Sequence, residues 1–261
     1  MTEIKTAITV GLNPSTTLFE EAKQWSQQLQ VPLLKRTHGD SLDILLAEHN
    51  LEALIIITRQ GIQIYSAAGL LRFHPGMAEL RIRELLRGGK DNFVEALKLK
   101  QGMKILDCTL GLGADAIVAS HIVGASGMVV GLEAILPIWL LTSHGFKTYE
   151  SKTAEINMAM RTITTLHDNA ANYLLNAPKD SFDVVYFDPM FKQPVQTSSN
   201  FTPMRKIACH DELTLAMIEK ALQVAPLVVV KERDADFFNN LLITEIKGGK
   251  YSRVKYGIRR R

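Results

Sequence analysis

The chain has 261 residues, 46% of them hydrophobic and 22% charged, with a formal net charge of +3. Such a length holds one large domain or a large and a small one with a substantial core, and so small a net charge excludes a global basic field. Cys108 and Cys209 supply neither a disulfide framework nor a zinc spacing, no apolar run reaches membrane-span length, and the N-terminus lacks the pattern of a signal peptide. The expectation is a cytoplasmic protein in a reducing environment, without a membrane segment or a bound metal.

Residues 7–10 read as a short strand, and Thr17 with Glu20 reads as a capping box for a helix to about Leu29. VPLL, residues 31–34, is a second strand candidate, and residues 41–49 are apolar at helical spacing. LEALIIIT and GIQIYS follow as strands that turn at Gln60-Gly61, with GLLRFH as a third. Residues 1–75 therefore read as a small α/β module without a recognisable chemical motif.

Residues 75–86, PGMAELRIRELL, form an amphipathic helix with Arg81, Arg83 and Arg87 near its polar face, a pattern that a solvated face explains. Gly88-Gly89 then precede a second short helix, FVEALKL; the pair either ends the first helix or folds over a ligand as a lid.

From Met103 strands alternate with helices. KILDCT, SGMVVGLE, MRTITTLHD, SFDVVYFD and PLVVVKER read as strands. The segments to about Val123, ILPIWLLTSHGF with Pro137 in its first turn, ANYLLNA, HDELTLAMIEKALQVA and DADFFNNLL read as helices. Residues 242–260 read as two more strands joined at Gly248-Gly249. This alternation implies right-handed crossovers. The expected fold of residues 76–261 is α/β and Rossmann-like, with a mostly parallel seven-stranded sheet and an antiparallel C-terminal hairpin.

Ligands of such sheets lie beyond the carboxyl ends of the strands. There the sequence places Asp107, Glu133, Asp168-Asn169 and Asp188, acids at four consecutive strand ends. After the first strand, Gly111 and Gly113 open a loop into a helix that starts at Ala114-Asp115, the turn of an adenosine-binding unit. Asp115 also suits the positive end of the helix dipole. In nicotinamide-binding folds the first glycine follows the strand directly, so that a pyrophosphate can rest on the helix. Here Asp107-Cys108-Thr109-Leu110 intervene and put a carboxylate in the site. A carboxylate repels a pyrophosphate and suits S-adenosylmethionine, which carries an ammonium and a sulfonium. Glu133, about twenty residues beyond the glycine loop, stands where an acid accepts from ribose hydroxyls.

Asp188-Pro189-Met190-Phe191 ends the fourth of these strands. An acid, a proline, a variable residue and an aromatic is the pattern of amino-methyltransferases. An exocyclic amine on a base is a poor nucleophile because its lone pair is delocalised. Asp188 and the Pro189 carbonyl can accept its two protons and turn the lone pair toward the methyl group, while Phe191 stacks on the base. A base within a stem must first be extruded.

With both motifs in view, the chain resembles the class I S-adenosylmethionine-dependent methyltransferases, and more closely the small-subunit ribosomal RNA guanine-N2 methyltransferase J family. The resemblance rests on LDCTLGLGADA, Glu133, LHDNA, VVYFDPMFK, VVVKER and the preceding segment HPGMAELRIRELLRGGKDNFVEAL, and it covers about residues 50–261. It implies S-adenosyl-L-methionine on Ala114, Asp115, Glu133 with Ala134, Asp168, Asn169, Ala170 and Asp188, beside Asp107, Gly111 and Gly113. It further implies ribosomal RNA or the small ribosomal subunit as partner. Ala114 stands where the family has arginine, Ala134 where it has arginine after the glutamate, and Asn169-Ala170 where it has serines. The loop after Asp188-Pro189-Met190-Phe191 departs from the family's run. Arg205, Lys206 and Lys231 are candidates for RNA phosphates. The last fifteen residues hold Lys247, Lys250, Arg253, Lys255, Arg259, Arg260 and Arg261 and no acid, which suits either a solvated tail or an RNA-backbone contact. The alternatives are a methyltransferase of this fold for a small molecule or a protein, a non-catalytic RNA- or nucleotide-binding module and, more distantly, a nicotinamide enzyme.

Overall fold

The computed structural model describes residues 4–37, 39–189, 212–243, 245–248 and 253–261. In chain order the first elements are β1 (Thr6–Val10), α1 (Thr16–Leu29), α2 (Leu42–Glu48), β2 (Ala53–Thr58), β3 (Gly61–Ser66), β4 (Gly69–Arg72), α3 (Met77–Leu86) and α4 (Asn92–Leu97). Next come β5 (Lys104–Asp107), α5 (Ala114–Val123), β6 (Met128–Glu133), α6 (Leu136–Thr148), α7 (Ala154–Thr162), β7 (Thr164–His167) and α8 (Ala170–Asn176). The last are β8 (Val184–Phe187), α9 (Leu215–Val224), β9 (Leu227–Glu232), α10 (Ala235–Asn240), β10 (Glu245–Lys247) and β11 (Lys255–Arg260).

The chain divides into two compact units. The first draws its described residues from Met1–His74 and Ile135–Tyr149, the second from Pro75–Ala134, Glu150–Pro194 and His210–Arg261. In the first unit the strands lie in the order β1-β2-β3-β4, with β1 and β2 parallel and both later pairs antiparallel. β2 is buried along nearly its whole length, which its unbroken apolar run requires. α6 packs against β3 and β2 of this unit.

Two local expectations for this unit change. Ser15, and not Thr17, caps α1: its hydroxyl accepts from Leu18 N at 3.3 Å, and the preceding proline holds the chain outside the helix. Residues 31–34 make only an isolated parallel bridge between Leu33 and Ile8, because Pro32 has no N–H for a ladder.

The second unit holds a seven-stranded sheet in the order β10-β11-β9-β8-β5-β6-β7. β7, β6, β5, β8 and β9 are parallel, whereas β11 runs antiparallel to β9 and to β10. This is the mostly parallel sheet with a C-terminal hairpin that the alternation of elements implies. On one face Leu106, Val185, Phe187, Val228 and Val230 pack with Leu174 of α8, Ile218, Ala221 and Val224 of α9, and Phe238 of α10. On the other, α5 packs on β5 and β6 and is itself covered by α3, α4 and α7. Residues 160–162 are not strand. AEINMAMRT folds as α7 because Ile156, Ala159 and Met160 bury at helical spacing, and β7 begins only at Thr164.

Gly131 of β6 links this core to the first turn of the sheet. A Cβ there would lie 2.5 Å from Leu110 Cδ1, and Leu110 is buried with its N–H donating to Leu132 O at 2.9 Å. The missing side chain thus seats the residue that opens the glycine loop. Gly131→Val should cost about 1–3 kcal/mol by overpacking and should weaken ligand binding at the loop. Urea unfolding measures the first effect and ligand titration the second.

Candidate active site at the carboxyl edge of the sheet

The strand order of the second unit reverses between β5 and β8, so the crevice of the sheet opens at their carboxyl ends. Asp107 ends β5 and is in register with Gly131 of β6 and Tyr186 of β8. The chain then turns through Gly111 (φ +53°) and Gly113 (φ +78°), conformations that favour glycine, and enters α5. Leu110 accepts from Gly113 N at 2.7 Å to close this turn. Asp107 Oδ1 accepts from Thr109 N at 3.0 Å, and Thr109 Oγ1 accepts from Asp188 N at 2.6 Å, which stitches the ends of β5 and β8 together.

Glu133 ends β6, and its Oε2 accepts from Gly111 N at 3.0 Å, so the acid braces the glycine loop. Ala134 follows it, and its carbonyl lies 3.1 Å from His167 Nε2 at the end of β7. Asp168 Oδ1 accepts from Asn169 N at 2.8 Å and from Asn172 Nδ2 at 2.9 Å, while Asn169 caps α8 through Ala171 N. Ala114 and Ala170 are the first residues of α5 and α8. The structure thus brings Asp107, the glycine loop, Glu133-Ala134, Asp168 to Ala170 and Asp188-Pro189 to one edge.

Beneath that edge lies a chain of buried charges. Arg81 of α3 grips Asp91 with two hydrogen bonds, at 2.7 and 3.0 Å, and also donates to Asp115 Oδ1. Asp91 in turn caps α4 through Phe93 N and Val94 N. Asp115 Oδ2 accepts from Tyr186 Oη at 2.8 Å and from Lys231 Nζ at 2.9 Å. Lys231 Nζ also donates to Asp188 Oδ2 at 2.7 Å. Asp188 Oδ1 is buried and has no hydrogen-bond partner among the described residues.

This arrangement separates three carboxylates in acidity. Burial pushes Asp107 up to about 7, opposed by the Thr109 N–H and assisted by repulsion from Asp115 and Asp188. Burial also pushes Asp188 up to about 6, against the pull of Lys231. Asp115 is as deeply set, yet Lys231 and Arg81 outweigh its desolvation and hold it well below the usual carboxylate range. Lys231 stays a firm cation because Asp115 and Asp188 outweigh its own burial.

Lys231 is not an exposed contact for phosphate: it lies on β9 one residue beyond the Phe187–Val230 register pair, which sets its ammonium beside Asp188 and commits it to two carboxylates. Asp115 faces Arg81, Tyr186 and Lys231, in addition to standing in the first turn of its helix. The basic C-terminus is not a free tail: residues 255–260 form β11, Arg259 donates to Leu241 O, Arg260 pairs with Glu245 and Arg261 with Asp180. Phe191, Arg205 and Lys206 lie outside the described residues.

Sequence reasoning missed Arg81, Asp91, Thr109 and Tyr186. Arg81 is amphipathic-helix arginine by pattern, and only its side-chain exposure of 19% distinguishes it from Arg83 at 47% and Arg87 at 74%. Asp91, placed directly before a short apolar helix, carried a readable capping signal. Among the described residues no group of His, Cys, Asp or Glu is arranged to hold a metal ion, and no helix is long and apolar enough to cross a membrane.

Residues 34–254 match the family described as "Putative SAM-dependent methyltransferase". The chain is 36% identical over 224 residues to an uncharacterized protein, YpiP, of Bacillus subtilis (strain 168), covering 85% of this chain and 86% of that relative. It is 28% identical over 247 residues to the ribosomal RNA small subunit methyltransferase J of Cellvibrio japonicus (strain Ueda107), covering 89% of each. In fold it is similar to the SAM-dependent methyltransferase NGO1261 of Neisseria gonorrhoeae, with a TM-score of 0.63 at 13% identity over 97% of this chain and 95% of the other. The matched segment contains the whole carboxyl edge described above. This chain belongs to the S-adenosylmethionine-dependent methyltransferase family, with S-adenosyl-L-methionine as its cofactor.

Proposed function

We propose that this methyltransferase modifies the exocyclic amino group of a guanine in small-subunit ribosomal RNA. The observation that carries the amine is Asp188: its Oδ2 and its backbone N–H are both held, while Oδ1 is buried without a partner among the described residues at the switch point of the sheet. A buried acceptor left unpaired costs about 1–3 kcal/mol, and an amino N–H of the substrate relieves that cost. Relatives whose name states ribosomal RNA of the small subunit, at 28% identity in the example above, support the substrate class.

The residues present fit the cofactor by their chemistry. Asp107 is a buried carboxylate lifted to about 7, and a cationic ligand relieves it. Asp107, Gly111, Gly113, Ala114 and Asp115 would border one part of the cofactor, Glu133 and Ala134 the ribose, and Asp168, Asn169 and Ala170 the remainder. When bound, the cofactor supplies an electrophilic methyl group on a sulfonium. The work of the chain is positioning: Asp188 and the Pro189 carbonyl accept from the amine and fix its lone pair, and Phe191 stacks on the base. Asp188 accepts best as a carboxylate, so the free enzyme should lose kcat/KM as pH falls through about 6.

Methyl transfer from labelled S-adenosylmethionine to small ribosomal subunits and to free RNA, both from a strain lacking the gene, tests the substrate. Label on the amino group of one guanine is the expected result; label confined to a small molecule or a protein overturns it. Asp188→Ala should lower transfer at least about 100-fold with the fold retained by circular dichroism, and full activity in that variant would sink the mechanism.

Asp107 titrates above its unfolded value of 3.8, so its contribution to stability is full below that pH and is lost as pH rises through about 7. A cationic ligand restores the charged form. The rise in melting temperature caused by S-adenosylmethionine should therefore be larger at pH 7.5 than at pH 5.5, and Asp107→Asn should abolish that difference.

A further inference from the structure

We infer that Lys231 is a positioning residue that acts through Asp188: by occupying Oδ2 it holds the carboxylate charged and turns the single open acceptor, Oδ1, toward the substrate amine. This rests on the amine-transfer reading and adds the group that makes Asp188 competent for it.

Strand register brings the two residues together. β8 and β9 are parallel and pair Tyr186 with Val229 and Phe187 with Val230. The next position on each strand is Asp188 and Lys231, so the pleat puts both on the face that Tyr186 occupies. The ammonium then bridges Asp188 Oδ2 at 2.7 Å and Asp115 Oδ2 at 2.9 Å. Asp115 is itself fixed by Arg81 and Tyr186, so it anchors Lys231. A carboxylate with one oxygen in a charge-assisted hydrogen bond has little freedom about its last torsion. Its backbone is pinned in addition through Thr109 Oγ1. What is left to accept a hydrogen bond, among the described residues, is one oriented oxygen, Oδ1, which is what aligning an amine requires.

The same placement governs charge. Asp188 faces Asp107 at the end of β5, Asp115 of α5, Tyr186 of β8, Lys231 and Glu232 of β9, and, through Asp115, Arg81 of α3; Tyr256 of β11 also faces Lys231. Lys231 is the one cation in direct contact with Asp188 among the described residues. Without it, three neighbouring acids and burial all favour the protonated form, and a protonated carboxyl presents a donor where an acceptor is needed.

The test uses the full chain with 13C-labelled aspartate, in Lys231→Met, Lys231→Gln and Lys231→Arg variants; Asp188→Asn identifies the Asp188 carboxyl signal by its loss. Lys231→Met should raise the Asp188 titration midpoint by at least about one pH unit, a tenfold change in the charged fraction below the midpoint, and Lys231→Arg should return it toward the native value. Should Lys231→Met not fold, Lys231→Gln decides: it keeps a polar group beside Asp188 but removes the charge, so the midpoint should still rise, and an unmoved midpoint overturns the inference. In turnover, the acid limb of the kcat profile should move up with the midpoint in Lys231→Met. Added to Asp188→Asn, the same change should cost less than about twofold more, because both act through one carboxylate. An unmoved midpoint, or a loss equal at every pH that multiplies with Asp188→Asn, overturns the role of Lys231 whatever the substrate. Methylation of oxygen or carbon by the native enzyme instead overturns the amine reading, and with it the purpose assigned to Lys231, while the titration still reports the ion pair.

Discussion

Asp115 is the constraint on which the second unit turns. It is buried at the start of α5, and its two oxygens collect Arg81 from α3, Tyr186 from β8 and Lys231 from β9. Isolated, such an anion would cost several kcal/mol to desolvate. Here the cost is offset by three donors, and in satisfying them the anion draws one helix, one helix start and two strands to a common point. Such pairs are weak sources of net stability, since well-packed apolar groups often serve as well. Their worth lies in where they hold Lys231, and so in the state of Asp188.

The apolar framework and the polar framework of this unit divide the labour. Phe93 packs edge-on to Tyr186, with ring centroids 4.9 Å apart, and the Arg81 guanidinium lies over the Phe93 ring at 5.3 Å. The aromatic pair thus shields the ion cluster from water on one side and keeps its local dielectric low, where charge-assisted bonds are strongest. At the rim, Asp107, Glu133 and Asp168 meet backbone N–H groups. Each of these strand-end acids accepts from at least one main-chain N–H, whereas Asp91 and Asp115 beneath them are held by cations.

The sheet was legible because its signals are local. Runs such as LVVVK and VVYFD, each ending in a charged residue, reveal buried parallel strands, and the glycine pair after Asp107 reveals the turn. Asp188-Pro189 was legible for the same reason, as an acid and a proline closing an apolar run. What could not be read was partnership across distance. Lys231 stands 43 residues from Asp188 and 116 from Asp115, and no pattern within β9 distinguishes a solvated lysine from one that bridges two acids. Arg81 and the C-terminal arginines share this ambiguity: each looks like surface charge until the strands are in register. α7 was missed for a different reason, since its three buried positions adjoin a threonine-rich strand and the boundary between periods 3.6 and 2 falls within two residues.

The path of the chain between β6 and β7 has a consequence for how such an architecture can be inherited or dissected. After Ala134 the chain leaves the second unit, contributes α6 to the first, and returns at Glu150. α6 brings Ile138, Leu140, Leu141 and Phe146 into burial, and Phe73 meets Phe146 edge-on at 5.7 Å within the first unit. No single cut therefore yields two self-contained fragments. A recombination event that joined foreign sequence at residue 75 would strip that small sheet of a helix it needs, whereas one that exchanged both segments together would keep it whole.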